Sequence, residues 1–139
     1  MSVRLIAHAL IQHQQAYLIL KRSTIKRGQE NVYPAFWDIP GGGVEQGELP
    51  QAAALRETLE ECNQHIVLST ILHEDSQFDA EKQTVFTRLV YAAHLSDQAP
   101  IILDPEEHTD FRWIQSLEEL EGEPIVPYLY QLIPSSHNR

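Results

Sequence analysis

The sequence predicts a single domain of the α+β class that spans residues 1–139. Several segments with the loose alternation or β-branched content of strands surround one segment rich in strong helix formers, residues 50–62. A chain of 139 residues suits one domain, and a hydrophobic content of 42% is enough for a core. Strands and a helix in irregular order therefore favour a mixed α+β architecture.

Six segments are predicted to be strands, namely residues 3–11, 16–22, 36–39, 65–74, 84–95 and 111–114. The first two flank a polar turn at 12–15 and should form a hairpin. A polar loop with one glycine and one proline is expected at 23–35.

Three signals mark helices. Pro50 suits the first turn of the 50–62 helix, and Asn63 tolerates the left-handed conformation that often ends one. Ser116, with Glu119 three residues later, has the spacing of a capping box. A final helix is expected at 125–133, where a proline at 127 fits only the first turn.

The charge balance narrows the class of partner. The formal net charge is −10, from 20 acidic and 10 basic residues. Nucleic-acid polymers and anionic membranes select basic surfaces, so neither is expected as the main partner. A small phosphorylated ligand remains compatible, because a bound cation can reverse the local sign of the charge.

Cys62 is the single cysteine, so no internal disulfide can form and a reducing, cytoplasmic compartment is expected. The N-terminal segment lacks a small-residue cleavage site and is interpreted as a strand rather than a signal peptide. The sequence contains no run of about 18 apolar residues, so no membrane span is predicted. The oligomeric state is not set by the sequence, and a homodimer is left open.

The 50–62 helix is predicted to have two unlike faces. Successive helical residues turn by about 100°, so one side should pack on the core with Leu55, Thr58, Leu59 and Cys62. The opposite side carries Glu57, Glu60 and Glu61. Like charges four apart destabilise a helix by roughly 0.2–0.5 kcal/mol per pair. The cluster is either a solvated face or a site for a hard cation such as Mg²⁺ or Mn²⁺, which prefers carboxylate oxygens.

The loop before this helix favours the interpretation of the glutamate cluster as a cation site. Gly41, Gly42 and Gly43 follow a proline, and glycines let the backbone approach a ligand closely. Two further acids, Glu45 and Glu48, lie just before the helix. A glycine-rich turn, then acids, then a helix with clustered carboxylates is a rarer combination than a solvated helix face.

These residues resemble the signature of the Nudix (MutT-like) hydrolases, G-x5-E-x7-R-E-U-x-E-E-x-G-U, where U is aliphatic. All of its charged positions match, at Glu48, Arg56, Glu57, Glu60 and Glu61, and they follow Gly42 at the right spacing. The departures are Thr58, Asn63 and Gln64, none of which removes a charge. The signature covers 23 residues, and the stretches FWDIPGGG and PEEHTDFRWIQSLEEL extend the resemblance over most of the chain.

The resemblance implies the Nudix fold, a mixed β-sheet sandwiched between α-helices, and a single Nudix hydrolase domain. It implies that Glu57, Glu60 and Glu61 bind Mg²⁺, with Mn²⁺ as a substitute, helped by the backbone carbonyl of Gly41. By the same resemblance, Glu48 and Arg56 organise the loop and the helix. Gly42, Glu48 and Arg22, with Lys21 beside it, are expected on the substrate side, although a strand end in solvent explains the two cations equally well.

The general base is left open between a helix glutamate and an acid from a later loop. Glu107 is the later-loop candidate and Glu106 the next, and the alternative is that both are solvated. His108 is not expected to be a base, because metal-activated water needs less help. Trp37 and Phe36 could stack on a nucleobase, but core packing is favoured.

The resemblance implies hydrolysis of a nucleoside diphosphate linked to another group. The chain lacks the downstream Pro, Tyr and other subgroup motifs of several family branches, which leaves a nucleoside triphosphate, standard, oxidised or otherwise non-standard. It would be cleaved to the monophosphate and pyrophosphate. The alternatives are another nucleoside diphosphate-linked compound, a non-catalytic Nudix module that binds a nucleotide and regulates a partner, or a plain acidic scaffold.

Overall fold

The computed structural model describes residues 1–135, in which a long first strand organises the sheet. The elements in chain order are β1 (Ser2–His13), β2 (Ala16–Arg22), β3 (Ile25–Lys26), β4 (Gln29–Glu30), β5 (Trp37–Asp38), β6 (Gly41–Gly43), α1 (Pro50–Cys62), β7 (Ile66–Asp79), β8 (Thr84–Leu95), β9 (His108–Ile114) and two 3₁₀ helices, Leu117–Leu120 and Pro127–Gln131. Within this part of the chain, no helix has the length and apolar character to cross a bilayer.

Strand β1 is shared by two groups of strands. Along residues 2–11 it runs parallel to β8, while residues 6–8 pair antiparallel with β6 on the other side. Its end at His13 turns tightly into β2, which pairs with β5 and β9. The order β5-β2-β1-β8-β7 with both parallel and antiparallel neighbours is the mixed sheet that the family resemblance implies.

The core lies on both faces of this sheet, because successive strand residues point to opposite sides. Ala9 and Ile11 of β1 pack in a cluster with Cys62 of α1. Leu10, between them, packs in a second cluster with Leu120 and Leu129 of the two 3₁₀ helices. The sheet is therefore sandwiched between helical layers, as predicted, although the layer opposite α1 is made of 3₁₀ turns.

Most predicted elements are present, with corrections at their ends. Helix α1 has the predicted bounds, and Asn63 ends it in the left-handed conformation with φ 62°. The predicted final helix over 125–133 is wrong in type and length. It is a 3₁₀ helix that starts at Pro127 and spans five residues, closed by bonds such as that from the Leu132 amide to the Leu129 carbonyl. A stretch this short makes few α-type bonds.

The remaining corrections concern loops and strand lengths. The predicted loop 23–35 contains the short β3–β4 pairing. Strand β7 continues to Asp79, and β9 begins at His108, earlier than predicted. The Ser116 amide donates to the Glu119 carboxylate at 3.0 Å, as the predicted capping box requires, but the helix that follows is a 3₁₀ turn.

The buried face of α1 differs from the predicted one. Thr58 and Cys62 are fully buried, as expected, but Leu55 and Leu59 are 42% and 43% exposed. Glu61 takes the inward position and is only 4% exposed. The helix sits close to the sheet on small residues such as Ala53 and Ala54, which are fully buried, so the leucines are turned outward.

Candidate functional site

A cleft of about 790 Å³ runs between the glycine strand β6, helix α1 and the β7–β8 pair. This volume is in the range of small-molecule sites. One part, called here the glutamate end, is lined by Gly41–Gly43, Glu57, Glu61 and Glu107. A second part, called the Arg88 end, is lined by His73, Asp75, Arg88 and Tyr128. The cleft therefore joins the predicted motif to a second group of polar side chains.

Other groups approach the backbone of two of the three glycines closely. A Cβ added to Gly41 would lie 2.5 Å from the Ala7 carbonyl oxygen. A Cβ added to Gly42 would lie 2.6 Å from the carboxyl carbon of Glu57. Gly43 has open space at the same point. The missing side chain of Gly42 thus makes room for the carboxylate of the helix.

Glu61 and Glu57 form a close carboxyl pair beneath this strand. Glu61 is 4% exposed, and the Gly41 amide nitrogen lies 3.3 Å from its Oε1. Burial and a hydrogen bond with Glu57 raise the pKa of Glu61 well above its ordinary value. Two carboxyls held together in a buried place must share a proton or bind a cation. The pair is therefore a place in the cleft that favours either a shared proton or a bound cation.

Arg56 links the loop to the helix from behind this pair. Its Nε and Nη2 donate to the two oxygens of Glu48, at 2.8 and 3.0 Å. Its Nη1 donates to Glu57 at 3.0 Å, and its Nη2 donates to the Gly43 carbonyl at 3.2 Å. The bidentate bond lowers the pKa of Glu48 to about 2. Arg56 therefore fixes both the 43–48 loop and the Glu57 side chain.

The structure brings some of the predicted site residues into the cleft and leaves others outside. The cleft lining includes Arg22, Gly41, Gly42, Glu57, Glu61 and Glu107. Glu48 and Arg56 support this lining from behind. The Glu60 side chain is 59% exposed and lies 3.3 Å from Arg56 Nη1. The metal-binding and catalytic roles of all these residues remain predictions.

Of the basic and later-loop candidates, Arg22 and Glu107 line the cleft, whereas Lys21 and Glu106 do not. Arg22 donates to Asp38 at 3.2 Å and lines the cleft, whereas Lys21 pairs with Glu123 and does not. Glu107 lies 2.9 Å from the ammonium of Lys26. Three further candidates are also placed, namely Trp37, which is fully buried in the core, Phe36, which packs against that core, and Glu106, which accepts from the Arg27 amide.

The donor set at the glutamate end fits a hard divalent cation. Within residues 1–135, no three acidic, histidine or cysteine side chains converge into a ready-made cation site. The Glu57–Glu61 pair nevertheless offers only oxygen donors, and burial together with the neighbouring Glu57 raises the pKa of Glu61, so a cation between the two carboxyls would be favoured. Beside it, His108 has a buried Nδ1 without a partner among the described residues, 3.9 Å from Glu61. Burial lowers the pKa of His108 to about 4, so its ring is neutral near pH 7.

The Arg88 end was missed by the sequence analysis. The Arg88 guanidinium lies 4.2 Å from the centre of the Tyr128 ring and donates to Asp75 at 3.0 Å. His73 bonds to the same carboxylate at 2.7 Å. The Tyr128 hydroxyl donates to Asp38. Only Asp38 had a readable signal, as an acid inside the apolar FWDI stretch.

Comparison with known proteins finds a matching family profile, similar sequences and similar structures. The profile of the NUDIX domain matches residues 2–135. Nucleoside triphosphatase NudI of Escherichia coli K12 is 28% identical over 123 residues, which are 83% of this chain and 84% of that protein. The crystal structure of a MutT NUDIX hydrolase from Burkholderia pseudomallei matches with a TM-score of 0.65 and 26% identity, over 81% of this chain and 83% of that one. The MutT protein from Methanosarcina mazei Go1 matches in fold, with a TM-score of 0.73, 23% identity and coverage of 92% and 88%.

Proposed function

Because the chain belongs to the Nudix hydrolase family, we propose that it is a Mg²⁺-dependent enzyme that hydrolyses a nucleoside triphosphate to the monophosphate and pyrophosphate. Family relatives act on small nucleotides, and the similar NudI protein is named a nucleoside triphosphatase. Standard, oxidised and otherwise non-standard bases are all included in the proposal. Mn²⁺ is the expected substitute for Mg²⁺.

The observation that carries the proposal is the carboxyl pair of Glu57 and Glu61 under the glycine strand. A triphosphate is strongly anionic, and a chain with a net charge of −10 needs a cation to accept it. Glu57 and Glu61 would hold that cation, with the Gly41 carbonyl as a further oxygen donor. Glu60 would join them only after leaving Arg56, from which it now lies 3.3 Å away.

When bound, the divalent ion supplies charge neutralisation of the phosphates and acidification of water. The protein's own part is positioning. Arg56 holds Glu57 in one rotamer, and Gly42 leaves the space that this carboxylate occupies. Arg22 and Lys26 at the rim add positive charge for the phosphate oxygens.

The reaction needs a group that accepts a proton from the attacking water. The water oxygen forms a bond to phosphorus, the P–O bond of the anhydride breaks, and pyrophosphate leaves. We propose that Glu107 takes the proton, since it lines the cleft at the glutamate end. A helix glutamate is the alternative, and Glu107→Gln separates the two. If Glu107 is the base, this substitution should lower kcat while leaving KM nearly unchanged, and if a helix glutamate is the base, kcat should not fall in this way.

The experiment that tests this function is a panel of nucleoside triphosphates, nucleotide sugars and dinucleotides with analysis of every product. Monophosphate and pyrophosphate should appear in equimolar amounts from triphosphates, only with Mg²⁺ or Mn²⁺ present. EDTA should abolish turnover, and added Mg²⁺ should restore it. Full activity after thorough chelation, or products from another class alone, would contradict the proposal.

The rival function, a non-catalytic nucleotide-binding module, predicts a different result. Calorimetry would then show nucleotide binding while no product forms with any metal ion. A plain acidic scaffold would show neither turnover nor specific heat of Mg²⁺ binding. The retained Glu57, Glu61 and Arg56 favour the enzyme over both.

A further inference from the structure

The Arg88 end of the cleft has the features of a recognition site for a planar polar group. Asp75 of β7 lies directly opposite Arg88 of β8 in the antiparallel register. Residues two apart on a strand share a face, so His73 lies on the same side as Asp75. All three line the cleft that also holds Glu57 and Glu61. A ligand bound at the glutamate end can therefore extend to this group.

Arg88 is held in place before any ligand binds. Its guanidinium lies 4.2 Å from the centre of the Tyr128 ring. Burial and the Asp38 carboxylate raise the pKa of Tyr128 well above its ordinary value, so the hydroxyl stays protonated and donates to Asp38. The ring is thus a fixed platform for the cation.

Part of the hydrogen-bonding capacity of this pair is unused. Nη1 of Arg88 bonds to Asp75, and Nη2 makes no hydrogen bond among residues 1–135, whereas the unpaired Nε is enclosed by the protein. The Arg88 and Asp75 side chains are 26% and 36% exposed, so a ligand can reach them. An arginine and a carboxylate therefore stand side by side in the cleft, one able to donate and the other able to accept.

We propose that Asp75 and Arg88 recognise the base of the nucleotide and select oxo bases, which place a carbonyl oxygen beside a ring N–H. Guanine, uracil and thymine have this edge. The oxygen would accept from Arg88, and the N–H would donate to Asp75. This inference rests on the proposed function, because the triphosphate held at the glutamate end sets the direction in which the base is presented.

Adenine and cytosine have the reverse pattern. An amino group replaces the oxygen, and the adjacent ring nitrogen is an acceptor. In the same orientation, donor would face donor at Arg88 and acceptor would face acceptor at Asp75. Leaving such groups unpaired in a partly buried cleft is costly. The pair should therefore reject amino bases as well as bind oxo bases.

A second ion pair in the chain provides a matched control. Lys21 and Glu123 are 2.9 Å apart, and their side chains are 31% and 32% exposed. The Lys21 ammonium lies 5.8 Å from the centre of the Trp37 ring, as Arg88 lies over Tyr128. Lys21 and Glu123 do not line the cleft. An effect of general charge or stability should appear at both pairs, whereas base recognition should appear only at Asp75–Arg88.

The test compares kcat/KM for GTP, UTP, ATP and CTP in the wild type, Asp75→Asn, Arg88→Lys and Lys21→Gln. The wild type should favour GTP and UTP over ATP and CTP by about tenfold, the usual scale for a two-bond base contact. Asp75→Asn and Arg88→Lys should each remove most of this ratio, since an amide can donate to the amino bases' acceptor and lysine loses the planar fork. Lys21→Gln should keep it.

A wild type without a preference for oxo bases, or cleft variants that keep the wild-type ratio, would overturn the proposal. If the wild type cleaves none of the triphosphates, the affinities for GMP and UMP can be compared with those for AMP and CMP by calorimetry. This comparison measures the preference for oxo bases without turnover. Failure of the proposed function is thereby separated from failure of base selection. If Asp75→Asn does not fold, the wild-type ratio and Arg88→Lys decide the outcome.

Discussion

The two ends of the cleft are assembled from the chain in different ways. At the glutamate end, Gly41, Gly42, Glu57 and Glu61 come from one segment of about twenty residues, with Glu107 added from a distant loop. At the Arg88 end, by contrast, Tyr128 reaches back across 90 positions to Asp38. The residues of the first end are brought together by their spacing along one segment, and those of the second end by the register of the sheet.

This difference determines what each end tolerates. The glutamate end depends on close approach, since a single Cβ at Gly42 would lie 2.6 Å from the Glu57 carboxyl carbon. The Arg88 end depends on pairing and stacking, with Arg88 between Tyr128 and Asp75. Changes at the glutamate end should therefore affect turnover of every substrate, and changes at the Arg88 end should affect which base is accepted.

The largest effect is expected from Glu61→Gln. The substitution keeps the shape and can still accept from the Gly41 amide, but it removes a charge that would hold the cation. We expect kcat/KM to fall by between about a hundredfold and a thousandfold for all bases alike, with a melting temperature that does not fall, because a neutral amide avoids the cost of burying a charge. Asp97→Asn, at an exposed acid paired with His65, is the control. Wild-type turnover by Glu61→Gln would remove Glu61 from the site.

A smaller but sharper effect is expected from Gly42→Ala. The added methyl group must displace the Glu57 carboxylate, and a misplacement of about 1 Å can cost about a hundredfold in rate. Gly43→Ala is the matched control, because a Cβ at Gly43 meets nothing within 4 Å. The ratio of kcat/KM between the two alanine variants measures the need for space. Equal kcat/KM of the Gly42→Ala and Gly43→Ala variants would show that the Glu57 carboxylate can move without loss of activity.

Arg56→Lys should lower kcat/KM by about tenfold, the lower part of the range for residues that orient a ligand-holding side chain. Lysine keeps the positive charge but cannot make the bidentate bond to Glu48 or reach Glu57 and Gly43 together. Because the effect is on positioning, the Mg²⁺ concentration needed for half-maximal rate should rise while the base preference stays constant. A changed base preference would mean that the two ends are not independent.

At the glutamate end, the sequence predicted the secondary structure and brought two of the three grouped helix glutamates to the cleft, because these determinants are local, whereas Glu60 is 59% exposed and does not line it. The bounds of α1, the left-handed Asn63 and the grouping of Glu57 and Glu61 beside the glycine strand all follow from residues within one turn or one motif of each other. Its errors came from packing. Leu55 and Leu59 were assigned to the core by hydrophobicity, yet the close sheet selects alanines and turns both leucines outward.

The Arg88 end could not be predicted from the sequence. Asp75 and Arg88 lie in strands whose pairing depends on a register that shifts at Ile71. Tyr128 lies in a segment predicted as a longer helix, whose turns would have placed the ring differently. Local patterns specify that these strands exist, but only the assembled sheet brings Asp75, Arg88 and Tyr128 together.

The smallest effect is expected at Thr58, where the family signature has an aliphatic residue. The Thr58 hydroxyl is fully buried, and its oxygen has no partner among the described residues. Unlike Arg88, it does not line the cleft, so its unused capacity serves no ligand there. Thr58→Val keeps the shape and removes the unpaired group, and it should stabilise the fold by about 1 kcal/mol. Urea denaturation measures this change, and kcat/KM for every base should stay at the wild-type value. Lower stability in Thr58→Val would mean that the hydroxyl has a hydrogen-bond partner after all. A lower rate would mean that packing on the buried face of α1 affects the position of the neighbouring glutamates of the same helix.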